Sequence, residues 1–144
     1  MRKFQFSLRA ALVMRERAVE AAELALRVVQ EEWNANQQRQ QDLVDEVKAA
    51  ELAVQEGPVV DPADYIALDR FRMGAQRRRM RLAQESVGIG KRLAERRGFW
   101  QLAERDRTLL IRLEEKAKAR WMVEYDREQQ QLAEEAYLSR WNAR

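Results

Sequence analysis

The 144 residues carry 35% charged and 8% aromatic side chains, only 5 Gly and 2 Pro, and a net charge of +3, a composition that describes extended helix better than a compact core. Neither Cys nor His occurs, which excludes disulfides, thiol chemistry, imidazole catalysis and nearly every transition-metal site, and leaves carboxylates, Lys and Tyr as the groups available to a catalyst. No apolar run approaches the ~20 residues needed to span a bilayer, and the opening residues lack a signal peptide's apolar core and cleavage site, so the expectation is a cytosolic protein without a transmembrane segment.

The chain opens on a short basic, aromatic lead from Met1 to Leu8 that contains Phe4 and Phe6. Its first fifteen residues lack Asp and Glu, faintly like a transit peptide, but Glu16, Glu20 and Glu23 continue the pattern that follows without a boundary. Ser7 is a good N-cap, and Phe6 can fold back on Ala11 or Leu12 as a hydrophobic staple, so a helix is expected from Leu8.

From Leu8 to Glu56 there is no Gly or Pro, and two rows repeat every seven residues. One row is Leu12, Val19, Leu26, Trp33, Gln40, Val47 and Val54; the other is Leu8, Arg15, Ala22, Val29, Asn36, Leu43 and Ala50. Most of these positions are apolar, which is the core pattern of a left-handed coiled coil. Leu12, Val19, Leu26, Val29, Trp33, Leu43, Val47 and Val54 are the expected core. Such a helix is roughly 70 Å long and needs a partner helix. The seam is weakest at Asn36 and Gln40, inside the polar run from Asn34 to Gln41. Two readings of that run stand side by side: a core Asn that fixes register at a cost in stability, or a solvated and loosely packed stretch.

Gly57-Pro58-Val59-Val60-Asp61-Pro62 is the strongest turn signal. Gly57 is expected to end the first helix in the left-handed conformation and Pro58 to prevent its continuation. Asp61 then caps a second helix that begins with Pro62, with Asp64 favourable for the helix dipole. A short connection between long helices makes them antiparallel neighbours. The expected fold is therefore all-α, a single coiled-coil domain over 1–144: an antiparallel two-helix hairpin with helix 8–56, turn 57–61 and a longer helical region 62–141.

In that second region Leu68, Ala75, Leu82 and Ile89 step by seven, Arg96 interrupts, and Ala103, Leu110 and Ala117 resume. Gly88 and Gly90 fall near the interruption, and each helical Gly costs about 1 kcal/mol relative to Ala. A bend or a break is expected there. An unbroken helix would carry its last ~30 residues past the start of the first.

Charge is uneven. Residues 1–72 hold 10 Lys and Arg against 13 Asp and Glu, and residues 73–144 hold 17 against 11. The basic excess falls at Arg77, Arg78, Arg79, Arg81, Lys91, Arg92, Arg96 and Arg97, with Phe99 and Trp100 beside it. Such a stripe suits either a nucleic-acid footprint or a coiled-coil face paired with Glu31, Glu32, Asp42, Asp45 and Glu46; the second reading is favoured. The adjacent acids Glu114-Glu115 and Glu134-Glu135 point to different sides of a helix and have no pocket to raise a pKa. No catalytic, cofactor or metal site is expected.

The lead Lys3-Phe4-Gln5-Phe6-Ser7-Leu8, followed by Leu12 and Arg15-Glu16-Arg17, resembles the amino-terminal signature of the FliJ family of flagellar type III export proteins. The stretch from Glu124 through Arg127, Gln129 and Leu132 to Ala136 is similar to that family's closing Arg, Glu and Gln-rich helix, and length and turn position fit as well. Gly88, Gly90 and Gly98 depart from the family's unbroken helix. The resemblance implies a cytosolic stalk, peripheral to the inner membrane, whose paired terminal ends enter a hexameric export ATPase. The other end would face the membrane export gate, and the family is also thought to escort export chaperones. No DNA and no small-molecule substrate are expected on this reading. The same logic admits the equivalent stalk of a virulence injectisome, and a basic coiled-coil nucleic-acid binder is the alternative from another class.

Two contact sets follow. Tyr65, Leu68, Phe71 and Ala75 share a helix face just past the turn and are assigned to the gate. Phe4, Phe6, Trp121, Tyr125, Gln129, Leu132 and Tyr137, at the terminal ends, are assigned to the ATPase, because mixed aromatic and amide side chains suit a pore with chemically alternating walls.

Overall fold

Two α-helices, α1 (Arg9–Gln55) and α2 (Pro62–Asn142), carry almost the whole chain and pack against each other. The computed structural model describes residues 2–59 and 61–144, and no strand occurs among them. The contacts divide the chain into two units: a turn unit, Ala22–Trp100, and a terminal unit, Met1–Ala21 with Gln101–Arg144.

In the turn unit the helices are antiparallel. Val29 and Leu43 of α1 and Leu68, Ala75 and Ile89 of α2 are buried. Removing a Leu-sized side chain from water is worth roughly 1.5–3 kcal/mol, so these positions hold the pair together. Leu26, Trp33, Val47 and Val54, from the same seven-residue rows, are half-buried, as a two-helix seam with no third layer leaves them. The polar run stays helical because its side chains brace it: Gln30 donates to Asn34 (3.1 Å), Gln38 to Asp42 (2.8 Å) and Gln41 to Asp45 (3.0 Å). Each is an i to i+4 pair of the kind that adds a few tenths of a kcal/mol to a helix.

The turn departs from expectation at Gly57. No described glycine has a positive φ, so Gly57 does not take the left-handed conformation. The reason is its neighbour: the residue before a proline is driven toward extended backbone, and Pro58 ends α1 by that route. Its last turn still closes through the Glu56 amide on the Leu52 carbonyl at 2.9 Å. Asp61 caps α2 as its sequence position implies, its Oδ1 accepting from the Ala63 amide at 3.0 Å. Val60 lies outside the described residues.

The break that Gly88 and Gly90 allowed does not occur: α2 is one helix from Pro62 to Asn142. Long helices in proteins are held by packing more than by propensity. Gly90 faces Trp33 across the seam: a Cβ there would meet the indole at 3.4 Å, an ordinary van der Waals contact.

In the terminal unit the antiparallel sense is set by two ion pairs, Arg9 with Glu114 and Arg15 with Asp106 (3.3 Å). Leu12 and Val19 are buried, while Ala103, Leu110 and Ala117 opposite are half-buried. Helix α1 starts at Arg9 rather than Leu8, and Ser7 is not its cap. The first turn closes through backbone, the Arg9 amide donating to the Phe6 carbonyl (3.1 Å) and the Leu12 amide to the Leu8 carbonyl (2.9 Å).

Candidate functional site

Among the described residues no group of three or more His, Cys, Asp or Glu could hold a metal ion. No described helix is long and apolar enough to cross a membrane. Function on such a scaffold resides in surfaces, and three regions stand out.

The first is the end of the terminal unit. The Phe4 ring meets Trp121 at 5.9 Å and 56°, and Trp121 stacks on Tyr125 at 5.2 Å and 18°. The Trp121 indole N–H donates to the Arg2 carbonyl at 3.2 Å. Aromatic pairs at these separations contribute about 0.5–1.5 kcal/mol beyond the area they bury, so the lead is fastened along α2. Phe4, Phe6, Trp121 and Tyr125 are all half-buried. Past this stack α2 continues without a partner helix, and from Gln129 to Arg144 every residue is exposed. Gln129, Leu132 and Tyr137 lie on that stretch, as do Leu138 and Trp141; Tyr137 and Trp141 are each 66% exposed. Bare apolar surface of that extent on a helix end marks a candidate interaction site. Leu138 and Trp141, which were not among the assigned contact residues, are bare on the same helix end.

The second region adjoins the turn. The four residues expected to form one open face are divided: Leu68 and Ala75 are buried in the helix seam, Phe71 is half-buried, and Tyr65 is exposed. Leu68 and Ala75 therefore offer no surface to a partner. Spacing of three and four residues placed all four on one side of α2, but that side is the one α1 covers. The bare apolar surface near the turn includes Leu52, Val59, Tyr65 and Ile66. Ile66 and Val59 were not among the expected residues, although both are large apolar side chains beside a turn.

The third is the polar layer in the middle of the turn unit. Asn36 is 1% exposed; its Nδ2 donates to the Leu82 carbonyl at 3.1 Å and its Oδ1 accepts from Gln40 Nε2 at 2.7 Å. A buried amide satisfied in this way specifies one alignment of the helices, because sliding by a turn would leave it unpaired. Ion pairs flank the seam, Arg92 with Glu32 at 2.8 Å, Arg72 with Glu51 at 3.0 Å and Arg78 with Glu46 at 4.0 Å. The basic stripe is thus partly absorbed across the seam, while Asp42 and Asp45 accept instead from glutamines of their own helix.

A family model described as flagellar FliJ protein matches residues 4–144. No curated protein and no solved structure matches the chain.

Proposed function

This chain belongs to the FliJ family and is a component of flagellar protein export; we propose that it acts there as a coiled-coil stalk, its terminal ends engaging a hexameric export ATPase and its turn end reaching the membrane export gate. On this reading the protein is cytoplasmic, associates peripherally with the inner-membrane export apparatus, and meets export chaperones there. ATP chemistry belongs to the partner. The flagellar description of the matched family favours this system over a virulence injectisome.

The observation that carries the proposal is the uncovered end of α2. A helix that enters a ring must present side chains the rest of its own chain does not use, and the exposed Gln129, Leu132, Tyr137 and Trp141 are such side chains. Neutral amides at Gln129, Gln130 and Gln131 can move against a polar wall without leaving a charge unpaired. At the turn end the gate contact falls to Tyr65 with the accessible part of Phe71, since Leu68 and Ala75 are covered.

The test is ATP hydrolysis by the purified export ATPase with the full chain and with a form lacking residues 126–144. That truncation keeps the aromatic stack, so folding should be preserved and stimulation lost. Full stimulation by the truncated chain would overturn the assignment of this end. For the gate, Tyr65→Ala should weaken pull-down of the gate protein while leaving the thermal midpoint in place.

A further inference from the structure

The outward side of α2 in the turn unit carries a second seven-residue row that its own fold does not use. Ile66, Met73, Met80 and Val87 step by seven and are 58%, 59%, 57% and 60% exposed. A straight helix drifts only ~20° per seven residues, so the four lie along one stripe. Met73 sits roughly 140° round the helix from buried Leu68. The stripe therefore faces away from α1.

The charges beside it are mostly positive. Arg70, Arg77 and Lys91 follow Ile66, Met73 and Val87 by four residues, and Arg81 adjoins Met80. Among the described residues none of these four cations forms an ion pair, whereas Arg72, Arg78 and Arg92, on the α1 side, do. Asp69, the acid nearest the stripe's start, lies 3.7 Å from Arg72. Gly88 stands on the same basic edge between Gln84 and Lys91, with open space where a Cβ would be. An exposed glycine in a helix interior costs about 1 kcal/mol against Ala, and unlike Gly90 it faces nothing in this chain.

We propose that this face is a helix-docking seam that takes an acidic amphipathic helix from another protein. The spacing of the apolar row is the one by which a helix reads another helix, and cations flanking such a row select a partner with Glu or Asp at the facing positions. Methionines at two of the four positions suit an adaptable contact. Phosphate recognition would use the cations but has no need of an apolar row, and the stripe holds no aromatic side chain on which a base could stack. The seam does not depend on the export reading: it shares only Ile66 with the turn end and rests otherwise on Met73, Met80 and Val87.

The experiment uses the full chain and a fluorescein-labelled synthetic peptide of about four heptads, with Leu and Ile at the core positions and Glu at the flanking ones. Controls are a peptide of the same composition in shuffled order and a single-stranded oligonucleotide. Fluorescence anisotropy should show saturable binding of the ordered peptide only. Binding should weaken by about tenfold or more in Met73→Gln/Met80→Gln, whose sites are exposed, with helicity and thermal midpoint unchanged. Raising salt from roughly 0.05 to 0.5 M should weaken it further. Absence of binding, equal binding of the shuffled peptide, or full affinity in the double variant would overturn the proposal. Tighter binding of the oligonucleotide would make the stripe a nucleic-acid surface, and self-association abolished by the double variant would make its occupant a second copy; either also overturns it.

Discussion

The turn unit and the terminal unit are both antiparallel helix pairs, yet they are held in different ways. The turn unit buries Val29, Leu43, Leu68, Ala75 and Ile89 around a satisfied Asn36. In the terminal unit Leu12 and Val19 are the buried apolar residues among those described, and half-buried Glu104, Asp106, Arg107 and Thr108 occupy much of the facing stretch of α2. Arg107 donates to Glu104 at 2.9 Å, but its buried Nε has no partner, and an unsatisfied buried donor is costly. Both units carry ion pairs across the seam; the terminal unit adds the Phe4, Trp121, Tyr125 stack. Dense apolar burial gives one tightly specified alignment. A polar, aromatic seam specifies the alignment less tightly.

The largest expected effect comes from attacking the turn unit's core. Leu43→Asp places an unpaired charge at a position 7% exposed and should cost about 4 kcal/mol or more; Tyr137→Asp, on the bare end of α2, should leave the melting curve unchanged. Circular dichroism melts of the two variants decide it, and equal midpoints would erase the distinction drawn between the units.

Trp121→Ala comes next. It removes both ring contacts and the hydrogen bond to Arg2, a loss of roughly 2 kcal/mol for a half-buried aromatic. Hydrogen exchange should quicken in residues 9–21 while amides from Val29 to Leu43 keep their protection. A uniform loss of protection along α1 would mean that the two units open together.

A smaller contrast lies between two glycines of the turn unit. Gly90→Leu adds a branched side chain beside the Trp33 ring, where a Cβ alone already makes contact at 3.4 Å, and should lower stability by about 1–2 kcal/mol through crowding. Gly88→Leu enters open space and should raise stability by up to about 1 kcal/mol through helix propensity. Thermal midpoints moving in the same direction would count against the packing described for Trp33.

The smallest effect belongs to the ion pairs. A double-mutant cycle on Glu32 and Arg92, both well exposed though 2.8 Å apart, should return about 0.5 kcal/mol and fall with added salt. A coupling several times larger would show that the seam depends on charge more than on its apolar row.

Much of this was legible in the residues themselves. The seven-residue rows placed Leu12, Val19, Val29 and Leu43 inward, Asp61-Pro62 marked the start of α2, and an unbroken α2 was one of the two forms its glycines allowed. These are local properties, set by backbone preference and by the period of a helix, and need no knowledge of what lies opposite. The left-handed Gly57 and the Ser7 cap failed because each residue was read without the neighbour that constrains it, Pro58 in one case and the Phe6 carbonyl in the other.

Other features depended on the partner. Whether Asn36 was solvated or buried could not be read from α1 alone, since the carbonyl it binds belongs to Leu82, on the other helix. Tyr65, Leu68, Phe71 and Ala75 share a face by spacing, yet which part of that face is open depends on where α1 lies across it. The stripe from Ile66 to Val87 has the same period as a core row. Periodicity marks a row as able to bury itself, whereas burial belongs to pairs of surfaces, so only the tertiary structure decided which rows are closed and which remain open.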